Sequence, residues 1–204
     1  MKTVSSRATR SGRPRSFDRS QALEAAKYVF WAQGYEGTSV ADLTRAMKIT
    51  PPSLYAAFGD KRRLFIEAVD DYLGGADNLV AAIASAPSAR QAAHDLLRAA
   101  AEGNTGAHTP AGCLLASSIV SSSAAAADVR ESLALIRRRI EVALRDRIAI
   151  DAVAGLLTRD IPPEGLAGHV FAVVQGMSTL AKDGADRAKL RLIVDTAMRV
   201  WPQD

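Results

Sequence analysis

Apolar residues recur at helical spacing along almost the whole chain, and no stretch shows the strict alternation of a half-buried strand. The clearest case runs from 127 to 157, where Val129, Leu133, Ile136, Ile140, Leu144 and Ile148 fall on one stripe. Aromatic residues make up only 5% of the chain, while Ala and Leu are abundant, which favours helices over sheets. The expected fold class is therefore all-α. Beyond residue 60 the spacing predicts helices over 61–84, 88–103, 110–122, 127–157, 163–184 and 186–200. Pro87, Gly103 to Pro110, Pro162–Pro163 and Gly184 mark the breaks. With 204 residues, 48% of them hydrophobic, the chain can bury a substantial core.

The first third is punctuated more tightly. Asp18 can cap a helix, with Gln21 three residues on, and Ala22, Leu23, Ala26, Val29 and Phe30 follow at helical spacing. Gly34 is suited to end it. Ser39 with Asp42 opens a short second helix carrying Val40, Leu43 and Met47. "KIT" leaves room only for a tight turn, and a third helix then carries Leu54 and Phe58 on one face. Gly59 stops it, and Asp60 caps the next. A longer helix followed by two short ones across a three- or four-residue turn is a tri-helical helix-turn-helix unit. Its small core would hold the third helix out where a DNA major groove can receive it. The expected organisation is a flexible basic arm over 1–16, a helix-turn-helix DNA-binding domain over 17–62, and a larger helical domain over 63–204.

Two prolines, Pro51 and Pro52, open the third helix. They cost no needed hydrogen bond, because the first N–H groups of a helix have no intrahelical partner. Thr50 precedes a proline and is pushed to extended geometry, which suits an N-cap. Pro51 also precedes a proline, so the alternative is a helix that starts one residue later.

Charge supports a polyanion-binding head. Residues 1–63 hold 12 Lys/Arg against 5 Asp/Glu, a net of +7, whereas residues 64–204 hold 14 against 17, a net of −3. The alternative for such asymmetry is plain solvated surface. In the arm, "SGRPR" places Arg13 and Arg15 in an extended Gly-Arg-Pro context that can lay arginine in a narrow minor groove. The alternative is a disordered arm adding only non-specific attraction. The basic N-terminus has no apolar run behind it and so does not read as a signal peptide. The longest uncharged stretch, from Glu102 to Asp128, is too polar and punctuated for a membrane span. A single cysteine forms no intrachain disulfide, and a reduced cytoplasmic location fits.

The segment "ALEAAKYVFWAQGYEGTSVADLTRAMKITPPSLYAAFGDKRRLFIEAV" resembles the DNA-binding domain of TetR/AcrR-family transcriptional regulators. The match in spacing covers Phe17 to Val69. It rests on "F…GY…TS", the turn, "SLY..F" and the lysine shortly after. Farther on, "TPAGCLL" and "VVQGMSTLAKDGA…VDTAMRVW" look like an AcrR-type C-terminal half. The resemblance implies a homodimer on a palindromic double-stranded operator, and a small-molecule effector in the C-terminal domain that releases a repressor. It implies phosphate contacts from Thr38, Ser39 and Lys61. It puts Thr50, Pro51, Pro52, Ser53 and Tyr55 on the presented side of the recognition helix, although Tyr55 could simply pack. The chain departs from the pattern at Lys48 and Pro52, where the family often has Gly, at Pro51, often basic or polar, and at Ala57, often His. Lys48 in the turn would add a phosphate contact.

Candidate lining residues for an effector pocket are Cys113, Leu114, Ser117, His169, Val173 and Met177. Cys113 is either a buried small hydrophobe or a sensor of electrophiles, oxidants or metal. His94, His108 and His169 have no metal-binding spacing with one another or with Cys113, and no metal or cofactor is expected. "IRRRIEVALRDR", Ile136 to Arg147, reads as a solvated helix face rather than a second nucleic-acid patch. The last two long helices have apolar faces, and the resemblance makes that pair the dimer bundle. The rivals are an enzyme built on a helical bundle and a DNA-binding module without a ligand. The first lacks GxGxxG, P-loop and HExxH motifs and carboxylates paired at catalytic spacing.

Overall fold

The computed structural model describes residues 17–117, 126–157, 161–199 and 201–202. Among them are ten helices and no strand: α1 (Arg19–Gly37), α2 (Val40–Met47), α3 (Pro51–Phe58), α4 (Lys61–Tyr72), α5 (Ala76–Ala84), α6 (Ala89–Gly103), α7 (Leu114–Ser117), α8 (Ala127–Val153), α9 (Pro163–Lys182) and α10 (Arg187–Arg199). The arm over 1–16, with Arg13 and Arg15, lies outside the described residues.

The caps in the head form as the sequence indicates. Asp18 Oδ1 accepts from the Ser20 and Gln21 amides at 2.8 and 3.2 Å. Helical geometry is interrupted at Gly34, at φ 73°. Ser39 and Asp42 satisfy each other's backbone in a capping box. The Ser39 hydroxyl bond holds the Asp42 carboxyl below its ordinary range. Gly59 leaves α3 at φ 84°, and Asp60 accepts from the Arg63 amide. In the core between α1 and α4, Phe30 and Phe65 are fully buried, edge to face at 4.9 Å between ring centres.

Lys48 ends α2 in the left-handed conformation, φ 54° and ψ 41°, the one described non-glycine residue at positive φ. A side chain there costs of the order of 1–2 kcal/mol. Lys48→Gly is therefore expected to raise stability by about 1 kcal/mol in urea denaturation.

The expected helix over 61–84 is two helices. Gly74 and Gly75 both take positive φ, 69° and 89°, and turn the chain. Asp70 closes the corner: its carbonyl accepts from Gly75 N at 2.9 Å and its carboxylate from Ala76 N at 2.8 Å. Helical spacing continues through the break, so the apolar pattern carried no sign of it. The predicted 110–122 helix is described only as Leu114–Ser117, beginning after Gly112 at φ 83°. Helix α8 ends at Val153, short of 157.

In the body, α8 packs against α5, α6 and α9, and α10 packs against α6 and α9. The α8 stripe is buried as expected, with Ile136 half-buried. The basic run along α8 is not a solvated face throughout. Arg147 is buried with Asp151, and its guanidinium also donates to the carbonyls of Ala86 and Pro87 at 3.1 and 3.3 Å. Asp151 accepts from Ala89 N, the first amide of α6, at 2.7 Å. This pair ties the α5–α6 turn to α8.

Candidate DNA-binding surface

Helix α3 stands on the head with one face inward. Leu54 and Phe58 are buried, while Thr50, Pro51, Pro52, Tyr55 and Ala56 are exposed. The helix starts at Pro51, not one residue later. Thr50 caps it in extended geometry, accepting from Ser53 N at 3.4 Å, and the two hydroxyls share a 2.9 Å hydrogen bond. Both remain near the surface, and Tyr55 is 49% exposed, which argues against a packing role for it.

Behind α3, Arg19 joins three helices. Its guanidinium makes a two-pronged ion pair with Glu67 of α4, lies 4.4 Å from the centre of the Phe58 ring, and reaches the Ala57 carbonyl at 3.4 Å. Arg19 is thus a positioning residue for the presented helix. Sequence spacing missed it because its partners, Glu67 and Phe58, lie far along the chain.

Cations flank the face. Thr44, Arg45, Lys48, Ile49, Thr50 and Ser53, with Phe17, line a surface depression of ≈ 400 Å³. Arg45 is exposed and pairs with Asp42 at 3.1 Å. It belongs beside Lys48, and the net charge of the head was the only sequence signal for it. Lys61, the first residue of α4, lies 4.4 Å from the centre of the Tyr35 ring. Burial lowers its pKa, against the opposing charge of Glu36. Ser39 is exposed at the start of α2, with a hydroxyl engaged by Asp42.

Thr38 departs from expectation. It is 1% exposed, and its hydroxyl donates to the Gly34 carbonyl at 2.7 Å, closing the turn. Its side chain therefore locks the α1–α2 connection and does not face outward.

The pocket candidates are not brought together. Leu114 and Met177 are core, 0% and 1% exposed. His169 and Val173 lie on the outside of α9, lining a groove of ≈ 360 Å³ with Leu192, Ile193, Thr196 and Ala197 of α10. The Ser117 side chain lies outside the description. Cys113 is half-buried at the meeting of head and body. Its amide donates to Ser178 Oγ of α9 at 2.9 Å. Next to it, Trp31 Nε1 of α1 donates to the Gly112 carbonyl at 2.7 Å.

Residues 22–68 match the family model for bacterial regulatory proteins of the tetR family. The chain is 34% identical over 198 residues to the HTH-type transcriptional repressor ComR of Escherichia coli K12, covering 94% of this chain and 92% of that protein. The repressor BdcR of the same organism is 49% identical over 63 residues. A solved structure of a cysteine-substituted CifR, a TetR-family regulator complexed with a 26 bp double-strand operator DNA, is 41% identical. It superposes with a TM-score of 0.84, covering 94% of this chain and 100% of that one. With its outward α3 and flanking cations, the chain belongs to the TetR family of bacterial transcriptional regulators.

Proposed function

We propose that the chain is a repressor that binds a palindromic double-stranded operator as a homodimer in the cytoplasm and is released by a small molecule held in its C-terminal region. One observation carries this reading: an N-capped helix presents Thr50, Pro51, Pro52, Ser53 and Tyr55 outward, bordered by Lys48, Arg45 and Lys61. Ser39, Lys48 and Lys61 hold phosphates and set the register, with Arg45 beside them. Thr38 contributes by fixing the approach to α2. The operator-bound CifR structure and the repressor ComR support this use of the surface.

The apolar groove between α9 and α10, containing His169, Val173 and the 66% exposed Leu192, supports pairing of two copies. A two-fold dimer presents two α3 helices to successive major grooves, which matches a palindrome. The effector acts by favouring a spacing of the two heads that no longer fits the DNA. Selecting genomic fragments with the purified protein tests the reading. Enrichment of a palindrome bound by two chains supports it; retention of fragments without a common site contradicts it.

The arm with Arg13 and Arg15 makes a further contribution, as minor-groove arginine. Affinity is expected to fall steeply with salt, with a log–log slope of about −0.9 per phosphate neutralised. Deleting residues 1–15 should weaken binding and make the slope shallower. Unchanged affinity after the deletion would remove the arm from the mechanism.

A further inference from the structure

Arg62, the second residue of α4, reaches from the head to the body. Its Nη2 donates to the Ser132 hydroxyl of α8 at 3.2 Å. That hydroxyl gives its own hydrogen to the Asp128 carbonyl, one turn back on α8, at 2.8 Å. Its lone pairs are therefore left to accept from the guanidinium. The serine thus holds a fixed orientation toward the arginine, set by the helix it stands on.

The bond bridges a cleft. Arg62 and Ile66 of α4, Asp77 of α5, and Ser132, Ile136 and Arg139 of α8 line a space of ≈ 510 Å³. Arg139 pairs with Asp77 in the same cleft, which ties α8 to α5 within the body. Arg62 and Ser132 instead join α8 to the helix that supports the head. Helix α4 packs against α1 and α3 on one side and against α8 on the other, and α8 packs against α9. A continuous route therefore runs from the presented helix α3, through α4 and α8, to α9. The cleft is the place on that route where packing is incomplete. A tilt of the head that widens it breaks the Arg62–Ser132 bond.

We propose that Arg62 and Ser132 form a strut that fixes the angle between head and body, and that the strut makes the protein selective for the spacing of operator half-sites. This rests on the reading of the chain as a dimer, joined through α9 and α10, on a palindrome. In such a dimer the two α3 helices must meet successive major grooves, so their separation decides which spacing is bound. A head that tilts freely follows a wrong spacing at little cost. A head held by the strut does not, and each dimer carries two struts. Both residues are positioning residues in this account. The rival role for Arg62, which follows Lys61, is a direct phosphate contact.

The test compares, by fluorescence anisotropy with the full-length protein, the selected operator and the same operator with one base pair inserted at its centre. Wild-type protein is expected to prefer the unaltered operator. Ser132→Ala should narrow that preference by about threefold to tenfold, the worth of a hydrogen bond of this kind. Alanine is the stronger helix former, so this variant keeps its fold. Ser132→Thr retains the hydroxyl and should retain the preference. Arg62→Met should narrow it as much as Ser132→Ala does, and the two changes together should add nothing, because each breaks the same bond. An unchanged preference in Ser132→Ala overturns the strut. So does an Arg62→Met variant that weakens both operators equally and makes the salt slope shallower by about 0.9, the mark of a lost phosphate contact. Wild-type protein indifferent to the inserted base pair overturns the dimer-on-palindrome reading, and the strut with it.

Discussion

Replacing Asp151 with Ala is expected to destabilise the protein by about 3–5 kcal/mol, because it strands a buried guanidinium. Arg147 and Asp151 are 9% and 3% exposed and lie one helical turn apart on α8. Without the carboxylate, Arg147 keeps only the Ala86 and Pro87 carbonyls, and the first amide of α6 loses its acceptor. The α5–α6 turn then has no anchor on the longest helix. Urea denaturation monitored by circular dichroism checks the size of the loss. A change within about 0.5 kcal/mol, the range of ordinary surface substitutions, would mean that the pair is not a structural tie.

The second large effect belongs to the head. Phe65→Ala removes a fully buried ring that packs on Phe30 at 4.9 Å and on Tyr35 at 5.1 Å. Aromatic truncations of this kind cost about 3–5 kcal/mol. Phe65 belongs to α4, and its partners both belong to α1, so the cavity opens between the two helices that support α3. Operator binding should be lost at temperatures where the wild-type protein still binds. Electrophoretic mobility shift across a temperature series measures this. Normal binding alongside a large fall in melting temperature would show that the body, not the head, depends on this ring.

Much of the head was legible because its instructions are local. The Asp18, Ser39, Thr50 and Asp60 caps and the Gly34 and Gly59 stops each act within a few residues. The αL turn at Lys48 is the place where the resembling family often has Gly. What escaped notice depends on partners far along the chain. Arg19, in the first turn of α1, showed no sign of its role until Glu67 and Phe58 came within reach. Arg147 looked like a solvated charge because Glu141 and Asp146 interrupt the basic run that ends at it. Thr38 was placed at a helix N-terminus, but sequence could not show that its hydroxyl turns inward to Gly34. The pocket candidates are scattered for a related reason. Spacing puts residues on a face of one helix without saying which neighbour covers it, so Met177 became core while His169 and Val173 faced outward. The break at Gly74–Gly75 was hidden because a helix-period pattern runs unbroken through it.

The presented face of α3 has no Arg, Asn or Gln to make a bidentate base contact. It offers the hydroxyls of Thr50, Ser53 and Tyr55, and the apolar surface of Pro52, Ala56 and the half-buried Ala57. Sequence preference should therefore lean on thymine methyl contacts, DNA shape and the arginine arm. The direct measurement is the affinity for the selected operator when its thymines are replaced singly by uracil, which lacks the methyl, and its purines singly by 7-deazapurines, which lack N7. The account predicts that uracil at a few positions weakens binding severalfold, while 7-deaza substitution within the α3 contacts changes little. Tolerance of every uracil, with strong loss on removing N7 from a base facing α3, would show that the helix reads base edges by hydrogen bonds and would contradict the account.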